Sequence, residues 1–265
     1  MLISIIIPTY NRVHFLIETI DSILSQTYSN FELIIVSDGS NDNTKQKVNQ
    51  IKDPRIKFIE LEKNYGYPAK ARNEGIKISK GEYIALCDDD DLWEKNKLEN
   101  QLELIKRGYD FIFTNSKFIK SKKSFAKKFY STFFLYFFIN ILNKIFSYFF
   151  LFLTNPIVNS SVLISKKYLI NNSFNESIIY RASEDYLLWI QIYQKTNPYY
   201  INKELVNYRF HENNISNDLL ANLNRCLLIF KNLNSENTYQ KLFKIFAIFF
   251  YSLRIFITKI FNPKK

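Results

Sequence analysis

The sequence predicts an α/β fold: a mixed, mostly parallel sheet with helices on both faces, extended by helical segments rich in aromatic and basic residues. Three observations carry that prediction. Apolar runs of strand length alternate four times with helical stretches across short turns, the pattern of βαβ units. The polar clusters PTYN, SDGS and DDDD all fall at the ends of apolar strands, and in such sheets strand ends converge on one ligand crevice. With 265 residues, 47% hydrophobic and 23% charged, the chain can bury a large core and is not a disordered polymer.

Each element has its own warrant. LISIII (2–7) is a continuous apolar run, as expected for a strand buried on both faces. VHFLIETIDSILSQ (13–26) puts Val13, Leu16, Ile17, Ile20, Ile23 and Leu24 on one helical face. FELIIVSDGS is a second strand ending in a turn, and NDNTKQKVNQI a helix with Asn41 or Asp42 as N-cap. RIKFIEL, then YPAKARNEGIKIS, then EYIALC read as strand, helix and strand, with Gly81 at the turn. The four aspartates come next. LWEKNKLENQLELIKRG is expected to be a helix beginning at Leu92, and YDFIFTNS a fifth strand.

Beyond residue 116 the character changes. No acid lies between Asp110 and Glu176, where nine lysines fall, and none follows Glu236, where six more positive charges complete a net charge of +11. An anionic partner, nucleic acid or an acidic membrane surface, is implied. Residues 129–153 and 239–261 are dense in Phe, Tyr, Leu and Ile with interspersed Lys and Arg. The first is long enough to span a bilayer, but Asn140, Asn143 and Lys144 near its middle disfavour that, so it reads as a surface-binding segment, with ordinary core packing as the alternative, and the second as a further surface-binding amphipathic helix. The lysines accompany phenylalanines rather than a reader motif, which argues against nucleic acid. MLISIIIPTYNR lacks a basic n-region and breaks at Pro8, so it is not read as a secretory signal. Cys87 and Cys226 form no framework and no zinc spacing, which suggests a reducing compartment.

Four adjacent carboxylates, Asp88, Asp89, Asp90 and Asp91, need a cation nearby. Oxygen ligands favour Mg²⁺, Mn²⁺ or Ca²⁺, the first two completing their shell with substrate phosphates. The plainer reading is an acidic turn capping a helix at Leu92.

IIIPTYNR, LIIVSDGSNDNT, ARNEGI, GEYIALCDDDDLW and SEDYLLW, in that order, resemble the family 2 glycosyltransferases. Each motif alone is weak, and five in sequence are specific. The resemblance covers residues 3 to about 215 and implies the GT-A fold, a Rossmann-like domain using nucleotide sugars with inversion. It implies that Pro8, Thr9, Tyr10 and Asn11 contact base and ribose, and that Asp38 accepts from the uracil ring nitrogen. Ser37 stands where the family often has a further aspartate. Asn64, Arg72 and Asn73 would flank the nucleotide. Asp88-Asp89-Asp90 resembles the DxD motif: Asp90 as ligand of Mg²⁺ or Mn²⁺, Asp88 or Asp89 at the ribose or a metal-bound water. Asp185, beside Glu184, would be the catalytic base, and His211 would complete the metal site or touch the diphosphate, as would Arg209 the latter. Elementary chemistry agrees: a nucleoside diphosphate leaves poorly without charge neutralisation, and an acceptor hydroxyl needs a base. On the residues alone, Glu184 and Asp185 after Ser183 are ordinary helix-capping sequence. His14 reads as structural, and Trp93 and Trp189 as packing residues, with Trp189 at an acceptor site the lesser alternative.

The expectation is a GT-A domain over 1–215, with an aromatic, basic insertion at about 117–153, and a membrane-associating tail over 216–265. Its partners would be a nucleotide-sugar donor, probed first as UDP-linked, a glycan or lipid-linked acceptor, and the anionic cytoplasmic face of the inner membrane. Cell-surface polysaccharide or lipooligosaccharide synthesis would be the setting. The rivals are a nucleotidyltransferase, which wants a glycine-rich loop that PTYNRVHF lacks, and a basic membrane- or nucleic-acid-binding protein without catalysis.

Overall fold

The computed structural model describes residues 1–119, 144–211, 218–235 and 237–261. In chain order these form β1 (Ile3–Thr9), α1 (Val13–Leu24), β2 (Phe31–Ser37), α2 (Thr44–Gln50), β3 (Ile56–Glu60), α3 (Pro68–Ile78), β4 (Tyr83–Leu86), β5 (Leu92–Trp93), α4 (Lys97–Lys106) and β6 (Phe111–Ile119). There follow α5 (Lys144–Leu153), a 3₁₀ turn at Asn159–Ser161, β7 (Leu163–Ser165), α6 (Lys166–Ile170), α7 (Glu184–Ile192), β8 (Pro198–Arg209), α8 (Leu219–Asn232) and α9 (Thr238–Phe261).

The strands make one sheet in the order β3-β2-β1-β4-β7-β6-β8-β5. Its first half is parallel, β1 pairing with both β2 and β4. β7 then runs antiparallel between β4 and β6, and β5 antiparallel to β8. The mixed, mostly parallel sheet is as the sequence predicts. β1 is buried along its whole length. Pro8 is tolerated there because pairing with β4 stops at Ile6–Leu86, so no ladder bond to that neighbour is lost.

Strand periodicity sorts the apolar residues onto two faces. Ile5 and Ile7 face α1 and α4, packing with Leu16, Ile20, Trp93 and Leu98. Ile6 faces the other way, into a larger core with Phe111, Phe152, Tyr186, Trp189 and Tyr251. Trp189 is fully buried there, against Phe111 and Phe174, which removes it from any acceptor surface.

Three expectations need correction. The helix after the aspartates starts at Lys97, not Leu92, because Leu92 and Trp93 pair with Asn207 and Val206 as β5. Asn43, not Asn41 or Asp42, is the cap residue of α2, although the Asp42 carboxylate does take the Thr44 N–H at 3.1 Å. Of the aromatic segment 129–153, the helix α5 turns Tyr148, Leu151 and Phe152 into the core rather than outward. Residues 120–143, which hold the rest of that segment, lie outside the described residues. Helices α8 and α9 add Phe230, Ala247, Tyr251 and Ile255 to the same core. Among the described residues no helix is long and apolar enough to cross a membrane.

Candidate active site

The crevice forms where β1, β2 and β4 end. After Thr9 the chain turns sharply: Asn11 has φ 51°, a left-handed conformation that asparagine tolerates better than most residues. The turn ties two strand ends together, Asn11 N–H donating to Ser40 Oγ (3.1 Å) and Asn41 N–H to Asn11 Oδ1 (2.8 Å). Tyr10 projects outward, 40% exposed, at the mouth, while Pro8 and Thr9 are buried.

Asp38 follows β2. Its carboxylate accepts from the backbone N–H of Tyr65 (3.0 Å) and Gly66 (3.2 Å), and burial raises its pKa against those bonds. Gly39 makes the approach of that loop possible. It sits at φ +67°, and a Cβ there would lie 2.7 Å from Asn64 N and Lys63 C. Asn64 Oδ1 is taken by Gly66 N–H, and the Asn73 amide is engaged at both ends by the Phe174 backbone, so Asn73 pins a loop.

The aspartates divide into four environments. Asp88 accepts from Arg72 Nη2 (2.7 Å) and Asn159 Nδ2 (3.1 Å). Asp89 accepts from Thr9 Oγ1 (2.8 Å) and Arg12 Nη1 (3.2 Å), and burial lifts its pKa to about 7 with the Asp90 charge adding to the effect. Asp90 Oδ2 meets Arg12 Nη1 and His211 Nε2, each at 2.9 Å. Asp91 is fully buried, taking Ser160 Oγ at 2.5 Å and Arg209 N–H at 3.1 Å, and serves the fold. None of them caps α4, which begins six residues on, so the capping explanation fails on geometry.

Arg72, on α3, binds the two halves of the site. Its guanidinium is buried and reaches Asp88 with one nitrogen and Glu184 Oε1 with the other, both at 2.7 Å. The two carboxylates raise its pKa above the ordinary arginine value despite the burial. Removing the charge strands Glu184, which is itself buried, so Arg72→Met is expected to cost about 3–5 kcal/mol of stability. Urea unfolding reads this directly, and a loss below about 1 kcal/mol would exclude a buried ion-pair role.

Asp185 sits next to that pair in the first turn of α7. The expected capping does not occur: Ser183 Oγ donates to Tyr180 O, and Glu184 Oε2 takes the Ser183 N–H. Ala182, just before, is held at φ 62°, an uncommon conformation for alanine. Asp185 Oδ1 accepts from Tyr186 N–H at 2.6 Å. Desolvation, then the Glu184 charge, raises its pKa to about 7, with Arg72 pulling the other way. A carboxyl that holds its proton more tightly folded than unfolded stabilises the fold below its unfolded pKa, and that contribution fades as pH rises through about 7. Melting temperature is therefore expected to fall between about pH 5 and about pH 8, and to fall less in Asp185→Asn. An identical slope in the two proteins would count against the raised carboxyl.

His211 stacks on Phe15 (ring centroids 5.2 Å apart), and Arg209 lies over the other aromatic approach, 4.6 Å from the same ring. Arg209 pairs with Glu18 at 2.7 Å. Trp93 is a packing residue whose indole N–H donates to Ser160 O. Sequence reasoning missed Arg12, although it directly follows PTYN and the acidic run demanded a cation. It also missed Asn159 and Ser160, whose small polar NSS turn gave no sign of meeting Asp88 and Asp91.

Among the described residues no three His, Cys, Asp or Glu side chains converge as a ready-made cation cage. The donor set still suits Mg²⁺ or Mn²⁺: one carboxylate and one imidazole at Asp90 and His211, with the guanidinium of Arg12 marking a cation-binding spot between Asp89 and Asp90. Such ions commonly take few protein ligands and fill the remainder with phosphate oxygens and water.

The family model described as Glycosyl transferase family 2 matches residues 4–165. UDP-Glc:alpha-D-GlcNAc-diphosphoundecaprenol beta-1,3-glucosyltransferase WfgD of Escherichia coli is 34% identical over 227 residues, 84% of this chain and 83% of that protein. A glycosyltransferase of Rickettsia felis is 39% identical over 210 residues, 78% of this chain, which spans 33% of that relative's length. Two further Rickettsia relatives are likewise matched over about a third of their length. The solved structure of S. aureus TarS 1-349 in complex with UDP-GlcNAc superposes with a TM-score of 0.72 at 20% identity, covering 94% of this chain and 72% of that one.

Proposed function

Because this chain belongs to glycosyl transferase family 2 and is a glycosyltransferase with the GT-A fold, we propose that it moves a sugar from a UDP-linked donor to a hydroxyl of a lipid-linked glycan, with inversion. The observation that carries this reading is the Arg72 bridge, which joins Asp88 on the donor side to Glu184 beside Asp185. A nucleotide-binding edge and a candidate base thereby share one crevice.

The roles in this proposal are those the family resemblance implies, and the geometry is compatible with them. Pro8, Thr9, Tyr10 and Asn11 receive the base and ribose, Tyr10 offering an exposed ring to stack. Asp38 orients the loop over the base through Tyr65 and Gly66, and one of its lone-pair sites remains for the uracil ring nitrogen. Asp88 and Asp89 meet the ribose or ordered water. Asp90 and His211 would hold Mg²⁺ or Mn²⁺, which would neutralise charge on the departing diphosphate. Asp185 takes the proton of the acceptor hydroxyl as that oxygen attacks the sugar's anomeric carbon from the face opposite the diphosphate. The names of the relatives support this choice of donor and acceptor class: the E. coli protein is named for UDP-Glc and a diphosphoundecaprenol acceptor, and the S. aureus structure for UDP-GlcNAc. We place the chemistry in residues 1–215 and membrane association in 216–265, at the cytoplasmic face of the membrane that would present such an acceptor.

Titration calorimetry with a panel of nucleotide sugars, with and without Mn²⁺, tests this. One UDP-sugar is expected to bind in a metal-dependent way. Absence of binding by every nucleotide sugar under both conditions would overturn the reading.

A further inference from the structure

Helix α9 has two opposed faces. Gln240, Ala247, Tyr251 and Ile255 are buried against the core. On the other side Leu242, Ile245, Phe249, Leu253, Phe256 and Ile260 are between 44% and 65% exposed. At about 100° per residue these six fall within an arc of about 80°. A single exposed leucine is ordinary, whereas a continuous apolar stripe from Leu242 to Ile260, most of a 24-residue helix, marks a surface that docks something.

The charges select the occupant. α9 contains Lys241, Lys244, Arg254 and Lys259 and no acidic residue. Lys241 and Lys259 are exposed at one edge of the stripe, whereas Arg254 is half-buried over Phe250 and Tyr251, turned toward the core. A second copy would bring the same cations against these, with no acid on α9 to meet them. An apolar stripe flanked by cations alone fits a surface that is apolar below and anionic above, the headgroup boundary of an acidic bilayer. We propose that the outer face of α9 is the seat of this enzyme on an anionic membrane, lying in the plane of the interface with Phe249 and Phe256 inserted among acyl chains. The proposal deepens the reading of a lipid-linked acceptor. It also fixes the orientation of the domain, because the inner face of α9 carries Tyr251, whose hydroxyl meets that of Tyr186, the residue after Asp185, at 3.3 Å.

Sedimentation of the full chain with vesicles tests it. Binding is expected to phosphatidylcholine vesicles carrying about 30% phosphatidylglycerol and to be at least about tenfold weaker on pure phosphatidylcholine. Phe249→Glu with Phe256→Glu is expected to weaken partitioning at least about tenfold, and Lys241→Glu with Lys259→Glu to remove most of the lipid-charge preference. All four side chains are exposed, so melting temperature and transfer to a water-soluble acceptor fragment are expected to stay at wild-type values. No binding to acidic vesicles, or binding indifferent to both variants, overturns the proposal. So does a concentration-dependent dimer in light scattering that the phenylalanine variant dissolves, which would make the stripe a contact between copies. Vesicles without acceptor are used throughout, so a failed transferase assay and a failed docking assay remain distinct results.

Discussion

Asp185→Asn is expected to lower kcat about 10³-fold while donor affinity stays within a fewfold of wild type. The substitution keeps the shape and the acceptor atom for the Tyr186 N–H, and removes only the ability to take a proton. Asp185 rather than Glu184 is the group to change, because both oxygens of Glu184 are engaged, one by Arg72 and one by the Ser183 N–H. The pH profile adds a second readout. With its carboxyl raised to about 7, the base is protonated in mild acid, so wild-type kcat is expected to climb as pH passes through about 7. The residual activity of the variant should lack that limb. A fall in kcat of less than about tenfold, or a variant that keeps the same pH limb, would assign the proton to another group.

Asp90→Asn is expected to weaken Mn²⁺-dependent donor binding by about 100-fold or more, measured by calorimetry at fixed pH. Asp90 Oδ2 is met by both the Arg12 guanidinium and the His211 imidazole, so a metal ion held there would replace the guanidinium contact and share the site with the imidazole. The fold is expected to survive, because Arg12 keeps Asp89 and Asp89 keeps Thr9. Asp91→Asn supplies the contrast. It is buried against Ser160 and the Arg209 backbone, so its loss is expected in melting temperature rather than in metal dependence. Equal effects of the two substitutions on Mn²⁺ dependence would refute the separation of a ligand from a structural acid.

The parallel half of the sheet is legible in the sequence because apolar runs and short turns are local signals. The strands from β1 to β4 follow from short runs dominated by Ile, Leu, Val and aromatic residues. β5 and β7 do not, since Leu92–Trp93 and Leu163–Ser165 are too short to show a period, and their pairing is decided by partners far along the chain. The same holds within the site. The acidic run and the strand ends announce themselves, whereas Arg12 on Asp89 and Asp90, or Arg72 between Asp88 and Glu184, exist only through tertiary contact across 77 or 112 residues. Arg209 illustrates the converse. It lies where the resemblance implies a diphosphate contact, yet Glu18 and the Phe15 ring hold it.

The lateness of β8 has a consequence for how the protein is made. Asp91 receives the Arg209 N–H from 118 residues downstream, and Asp90 meets His211 from 121 residues downstream. While the ribosome is still extending the chain, the acidic turn is already outside with neither partner synthesised. Chains fold as they emerge, and contacts this distant in sequence close last and slowly. The parallel half can order early, but the nascent chain lacks the Arg209 N–H and the His211 imidazole at its carboxylate cluster until residue 211 clears the tunnel. Arg12 and Arg72, both synthesised before the aspartates, are the cations available throughout that interval.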